Sequence, residues 1–408
     1  MRGLDLSDLP LGNVFSDIDG HESRLHGIIK AIVEKPSDNP PGDTTEPAEV
    51  VAALLSSIGF TVDRVRAADR KVNLVAEWNT GKPETVLFNG HLDTVPIGDR
   101  SLWSFDPYGA EISDGWMYGR GVADDKGAVG CLIAACEAIH RLGLKPRANI
   151  MIHAVCDEEV GSELGTAYLV KNGYASKANC GYVLEASTSK NRIFVRNSMK
   201  GIASLNITVQ GKTAHAANPN DGVNANLGMA KVLLALSRTK FKVKRNQFLT
   251  PPTIASGTVM QGGDKSNVIP AKCTALSDIR YLPDMTEKTM TQDIGRVINQ
   301  VKKSEKKLRV SYELKLGTHR AVEIGQEQLV VRRASHMITK VTGHKPRVMG
   351  GYGATDASFL TLDAKIPTLI GLGPADIDLG NMHGANERVS TAKLLEYTKI
   401  YAGIIMSP

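Results

Sequence analysis

The chain has 408 residues, 42% hydrophobic and 23% charged, the balance of a soluble globular protein long enough for two domains with sizeable cores. Its 49 Lys and Arg are scattered among 43 Asp and Glu, so the net charge of +6 forms neither a basic run nor the aromatic-interleaved basic stripe of a nucleic-acid binder. No apolar run approaches the roughly 18 residues needed to span a membrane.

The opening MRGLDLSDLPLG has no basic-then-apolar leader, so the expectation is a cytoplasmic protein without a membrane or nucleic-acid partner. Cys131, Cys136, Cys156, Cys180 and Cys273 are odd in number, lie in apolar segments and form no Cys-x-x-Cys pair, which predicts reduced core thiols. In chain order, the spacing of apolar residues predicts an amphipathic helix over 47–58, a short strand over 85–88 and a mostly apolar helix over 127–142 after a Gly-rich turn. Apolar runs at 149–155 and 182–184 are of the kind buried in parallel sheets, so this half reads as an α/β layer with covered faces. Near residue 200 the texture changes to period-two alternation over 202–210. A helix follows near 225–236, then strands near 253–260 and 272–281, a helix near 285–303 and a strand near 308–316. The order β-α-β-β-α-β is the split βαβ, ferredoxin-like pattern. It predicts a unit over 200–316 inserted into an α/β domain made of 1–199 and 317–408. The second part of that domain carries helices near 327–341 and 391–405 and a buried strand near 366–370. There is no internal repeat and no low-complexity tract.

Borderline cations such as Zn²⁺ take His nitrogen and carboxylate oxygen from rigidly held positions, and this sequence puts such residues where strands end. His91 and Asp93 follow the first buried strand. Residues two apart in extended chain point the same way, so the Asp93 carboxylate is expected to accept the proton on the His91 nitrogen that faces away from a metal. In the Gly-rich bend 119–127, either Asp124 or Asp125 could face a metal or cap the following helix. The glycine spacing there does not satisfy the nucleotide-binding fingerprint. Asp157, Glu158 and Glu159 directly follow the apolar strand 149–155, where three consecutive acids repel one another unless cations or shared protons relieve them. Glu185 ends the next apolar run. His383 lies in a polar, Gly-containing loop, 380–387, where a core histidine would be out of place.

Together these segments resemble the metallopeptidase family that includes acetylornithine deacetylase, succinyl-diaminopimelate desuccinylase, aminoacylase-1 and glutamate-releasing carboxypeptidases. The matching stretches are 39–42 (NPPG), 89–96, 103–107 (WSFDP), 118–127, 157–162, 211–215, 263–270 and 350–356, in family order over nearly the full chain. The resemblance implies a site for two divalent ions, expected to be Zn²⁺ with Mn²⁺ or Co²⁺ as alternatives. Asp124 would bridge them, one ion taking His91 and Glu185 and the other Glu159 and His383. Two such cations activate a water and polarise a carbonyl. Glu158 would be the general base and Asp93 would hold His91. The inserted unit would be a lid and dimerisation domain in a homodimer. Its His215 would donate to the developing oxyanion, in dimeric relatives from the partner subunit. Asn267, Arg280 and Gly353 would hold the substrate, Arg280 as a bidentate partner for a carboxylate.

Two departures bear on the substrate. Met199-Lys200-Gly201 stands where desuccinylases and their close relatives have an Arg-Arg-Gly-like segment, and 353–356 reads GATD where they have Gly-Thr-Ser-Asp. Both changes argue against a di-acid succinyl substrate, and Tyr352 is a candidate aromatic or hydroxyl contact in its place. The expected reaction is hydrolysis of the amide bond of a small carboxylate-bearing molecule, an N-acyl amino acid or short peptide. One alternative is deamination or deacylation at a non-peptide C–N bond of a catabolic substrate, for instance an aromatic one. The other is a non-catalytic metal-dependent binding protein, which would have no use for a carboxylate such as Glu158 beside the ligands.

Overall fold

The main sheet is built on strands β1 (Thr61–Ala68), β2 (Lys71–Trp78), β3 (Thr85–His91), β4 (Asn149–Val155) and β5 (Cys180–Val183). The computed structural model describes residues 11–351 and 353–407. The first ten residues, which hold most of the opening stretch, and the candidate contact Tyr352 therefore lie outside the described residues. The strands are ordered β1-β2-β4-β3-β5, with the short strand Thr368–Leu369 beyond β5. β1, β2 and β4 run antiparallel to one another in turn, whereas β4, β3, β5 and Thr368–Leu369 are parallel. Every residue of β3 and β5 is buried, and so is all of β4 after Asn149, as unbroken apolar runs in a parallel sheet require.

Parallel pairing has a direct consequence for placement. His91 pairs with Val155 and Asn89 with Val183, so the loops after β3, β4 and β5 all leave from one edge of the sheet. In open parallel sheets that carboxyl edge is where ligands bind. Helices Glu22–Val33, Lys126–Arg141, Leu329–Thr342 and Thr391–Met406 contribute buried apolar residues to the same core as the sheet. Lys126–Arg141 is buried along almost its whole length. Its start winds so tightly against the preceding bend that a Cβ on Gly127 would stand 2.0 Å from the Val122 carbonyl oxygen. Only glycine fits there, and the close turn fixes where the acids just before it point.

The chain forms two compact units. One comprises the described residues up to Ser198, Glu323–Gly351 and those from Thr355 onward, and the other comprises Met199–Val322 with Gly353 and Ala354. In the second unit, strands β6 (Gly201–Gln210), β7 (Thr253–Gly262), β8 (Lys272–Tyr281) and β9 (Arg309–Leu316) form an antiparallel sheet ordered β7-β8-β6-β9. This is the split βαβ arrangement that the alternation predicts. Ala203, Leu205, Ile207 and Val209 alternate into its core, where Met290, Ile294, Ile298 and Val301 of helix Glu287–Ser304 meet them at helical spacing. That helix opens on a capping box between Thr286 and Thr289.

The five cysteines are unpaired and buried. Among the described residues no helix is long and apolar enough to cross a membrane.

Candidate metal centre

The candidate ligands of the first unit meet at the carboxyl edge of β3, β4 and β5. His91 closes β3. Glu158 and Glu159 open a single 3₁₀ turn, Glu158–Val160, three residues beyond β4, and Glu185 lies two residues beyond β5. Asp124 precedes helix Lys126–Arg141, and His383 is in the loop before the strand Arg388–Ser390. Asp125 occupies the N-cap of that helix without making a side-chain cap hydrogen bond, so neither acid of the bend is spent on capping. Asp124 faces the histidines, and the Asp125 carboxylate turns inward against Gly90.

The spacing suits cations. Donor atoms bonded to one ion at about 2.1 Å in a tetrahedral arrangement stand about 3.4 Å apart. His91 Nε2 is 3.0 Å from Asp124 Oδ1 and 3.7 Å from Glu185 Oε1. His383 Nε2 is 3.1 Å from Asp124 Oδ2 and 3.4 Å from Glu159 Oε2. The Asp124 carboxylate thus offers one oxygen to each imidazole; Glu185 lies beside His91 and Glu159 beside His383, with Glu159 also within 4.8 Å of donors on His91 and Asp124. Glu159 Oε1 is buried without a hydrogen-bond partner, a vacancy in bonding that a coordinated cation would fill. Glu158 brings an oxygen within 4.8 Å of donors on His91 and Glu185. The set is made of imidazole and carboxylate only, which fits Zn²⁺, Mn²⁺ or Co²⁺.

The charges are lopsided in the same sense. Burial opposes a charge on His91, but Asp124, Glu158 and Glu185 outweigh it and hold the imidazole well above its ordinary pKa. Hydrogen bonds to Asp124 and Glu159 push His383 up to about 10. Burial favours a neutral Asp124, yet His383 and His91 pull its carboxyl below the usual range. Burial raises Glu158 and Glu185 well above the carboxylate range, helped for Glu158 by Glu185 and for Glu185 by Asp124. The cluster gathers protons to offset its negative charge, and a divalent cation answers the same demand.

One expected contact is different in kind. The acceptor for His91 Nδ1 is the Asp93 backbone carbonyl at 2.8 Å, while the nearest Asp93 carboxylate oxygen is 3.7 Å away. A carbonyl can only accept, so Nδ1 carries the proton and Nε2 is left to face the acids. The fully buried Asp93 carboxylate instead accepts from the backbone N–H of Glu158 (3.1 Å) and Glu159 (3.3 Å) and from Asn39 Nδ2 (2.8 Å). It competes poorly for His91 because these donors already surround it. Asp157 turns away in a left-handed conformation (φ 69°) and pairs with Lys71 at 3.0 Å, so of the three consecutive acids only two enter the cluster.

The sequence reading passed over several supports. Asn39 and Lys71 hold Asp93 and Asp157, while Asn73 within β2 accepts from the Cys156 N–H and donates to the Leu164 carbonyl, bracketing the acidic turn. Glu387, four residues after His383, accepts from the N–H groups of Gly121, Ala123 and Asp124. The available signals were an Asn in a Pro-rich turn, a polar residue interrupting an apolar strand and a second charge in the His383 loop.

The remaining candidates lie in the second unit. His215 is exposed on the two-residue strand Ala214–His215, paired with Val268, and its neighbour Ala216 donates to the Asn267 carbonyl. Arg280 lies near the opposite end of β8, where Asp278 accepts from its Nε at 2.8 Å. Eight residues of strand separate Lys272 from Arg280, about 25 Å at the usual rise. The unit therefore does not bring Arg280 together with His215 and Asn267. Gly353 belongs to the same unit.

Residues 87–407 match the model of peptidase family M20/M25/M40. Among solved structures, the fold is similar to that of the di-peptidase Dug1p of Saccharomyces cerevisiae. The TM-score is 0.77 at 17% identity, over 97% of this chain and 98% of that one. A tripeptidase of Staphylococcus aureus gives 0.76 at 21% identity over 94% and 98%. A dinuclear metal-binding peptidase of Bacillus subtilis gives 0.73 at 12% identity over 95% and 98%. At such identities the likeness establishes a common fold.

The electrostatics give a pH dependence with a definite sign. Metal-free His383, with its pKa near 10, is protonated at neutral pH and must lose that proton to bind an ion. Metal affinity should therefore rise with pH between about pH 7 and 9, with proton release on binding. Calorimetric Zn²⁺ titrations in two buffers of different ionisation enthalpy measure both. Affinity flat across that range, without proton release, would remove His383 from the ligand set.

Proposed function

The chain belongs to peptidase family M20/M25/M40 and is a metal-dependent hydrolase of C–N amide bonds that uses two divalent ions, and from that premise we propose that its substrates are short peptides or N-acyl amino acids with a free carboxylate. The observation that carries this reading is the Asp124 carboxylate, with one oxygen toward His91 and the other toward His383, and Glu158 close by. On this reading His91, Asp124 and Glu185 would hold one divalent ion, such as Zn²⁺, and Asp124, Glu159 and His383 would hold the other. The ions supply Lewis acidity, lowering the pKa of a water and polarising the scissile carbonyl.

The chain's own groups do the rest. The His91 Nδ1–H bond to the Asp93 carbonyl fixes the tautomer that presents a lone pair on Nε2. The Asp93 carboxylate, through the N–H groups of Glu158 and Glu159, fixes the turn that separates a base from a ligand. Glu158 takes the proton of the attacking water and returns it to the leaving nitrogen. Its raised proton affinity, due first to burial and then to Glu185, suits that shuttle. Arg280 reads the substrate carboxylate: Asp278 engages Nε and orients the guanidinium, whose two Nη groups form the bidentate face.

His215 stabilises the oxyanion from the partner subunit of a homodimer. The separation of Arg280 from His215 and Asn267 along β8 supports this division, since one copy would supply the carboxylate reader and the other the oxyanion donor. The second unit also offers an apolar edge that a second copy could cover. β7 is an open sheet edge with Val259 and Met260 exposed, and helix Ala225–Ser237, packed against it, exposes Leu227 and Leu234. Five unpaired thiols fit the reducing cytoplasm.

Glu158→Gln keeps the side chain's size but not its basicity. It should bind two ions and lose turnover by about a hundredfold or more on whichever dipeptides or N-acyl amino acids the wild type hydrolyses. Near wild-type turnover would dismiss Glu158 as the base, and a wild type that binds two ions but hydrolyses none of the panel would dismiss the substrate class. Mixing inactive His215→Ala chains with inactive Glu158→Gln chains should restore part of the activity, because the hybrid contains one site with its own Glu158 and the partner's intact histidine. Verified mixed dimers that remain inactive would rule out completion in trans.

A further inference from the structure

Arg120 and Glu387 form an ion pair that is almost completely withdrawn from solvent, 1% and 0% exposed. Isolating two charges from water is costly unless their remaining donors and acceptors are used, and here, apart from Arg120 Nε, which has no hydrogen-bond partner, they are used on backbone. One oxygen of Glu387 receives Arg120 Nη1. The other receives the N–H groups of Gly121 (3.0 Å), Ala123 (3.0 Å) and Asp124 (3.2 Å). Arg120 Nη2 donates to the carbonyls of Pro96 and Gly384, each at 3.2 Å, and its guanidinium carbon lies 5.3 Å from the centre of the Trp103 ring.

The pattern singles out three segments. Pro96 continues the loop that leaves His91, Gly121 to Asp124 end on the bridging acid, and Gly384 adjoins His383. Each loop that the pair grips carries a candidate ligand, and the Asp124 N–H is itself bonded. Three N–H groups converging on one oxygen fix the curvature of the bend 121–124, and hence the direction in which the Asp124 side chain departs. The same carboxylate sits four residues from His383, so the distance between bridging acid and second imidazole is set through Glu387 as well as by their own contact.

We propose that the Arg120–Glu387 pair is a positioning device that holds Asp124 and His383 at the separation at which they share an ion, and so sets the affinity of the metal centre. The inference rests on the reading of these two residues as ligands. Neither Arg120 nor Glu387 is among the candidate ligands. Both act through the backbone they hold.

The test is a Co²⁺ titration of metal-free protein, followed by the visible absorption of the bound ion, with folding monitored by circular dichroism. In Arg120→Met/Glu387→Met both charges are removed together, so no unpaired charge stays buried, and the three N–H groups lose their acceptor. The weaker-bound ion should lose affinity by about 10–100-fold, the usual effect of disturbing groups behind the ligands, with an altered spectrum. A pair that merely held the fold together would leave both affinities at the wild-type value in a folded double variant, and that result overturns the proposal. Arg120→Lys keeps the charge but not the two-pronged grip on Pro96 and Gly384. Should the double variant not fold, this variant decides: about a tenfold loss supports positioning, and unchanged affinity overturns it. A wild type that binds no Co²⁺ would refute the ligand assignment itself, which separates that failure from failure of the clamp.

Discussion

Carboxylates do not gather at the end of a buried sheet without something to hold them there. Asp124, Glu158, Glu159 and Glu185 converge on two imidazoles; burial first, and then the neighbouring acids, raise the proton affinity of Glu158 and Glu185, and attraction to the acids raises that of His91 and His383. Much of the surrounding structure restrains this cluster. Asp93 ties down the turn that carries two of the acids, Lys71 draws the first of the three consecutive acids, Asp157, away, and Glu387 grips the bend that ends in Asp124. Parallel pairing of β3, β4 and β5 is what makes the convergence possible, because it sends three consecutive loops out of one edge. A cation pair is the counterpart that this arrangement lacks on its own.

Much of this was legible in the sequence, for identifiable reasons. The strand at 149–155 and the helix beginning near 127 are mostly apolar stretches ending in abrupt polarity, and the structure bounds them at Asn149–Val155 and Lys126–Arg141. The alternation from residue 202 and the element order after it were enough to give the ferredoxin-like unit. Helices Leu11–Gly20 and Glu22–Val33 escaped notice because Gly20, His21 and Gly27 interrupt an apolar periodicity that only their packing makes evident. β1 shows little pattern since most of its residues are exposed at the sheet edge, and β2 is disguised by Asn73, a polar residue spent on the acidic turn.

At the site the limit was one of partners rather than of residue types. His91, Asp124, Glu159, Glu185 and His383 stand out individually because each occupies a strand end or a polar loop. The Asp93 carboxylate was given to His91 on the strength of extended geometry. Sequence spacing cannot foresee that the chain turns there, so that the backbone carbonyl reaches the ring first. Arg120 and Glu387 are 267 residues apart, and nothing local to either foretells that a buried charge pair will join them. In the second unit His215 lies on a separate two-stranded sheet and Arg280 near the far end of β8, a separation that the positions alone, thirteen residues apart for Asn267 and Arg280, do not reveal.

The central claim, that Asp124 is shared by two ions held in separate ligand groups, is tested most directly by the metal stoichiometry of reconstituted protein, measured by elemental analysis after removal of free metal. The account predicts two ions per chain in the wild type, one in His383→Ala, and neither held tightly in Asp124→Ala. A wild type with one ion or none, or an Asp124→Ala protein that still retains two, would contradict it.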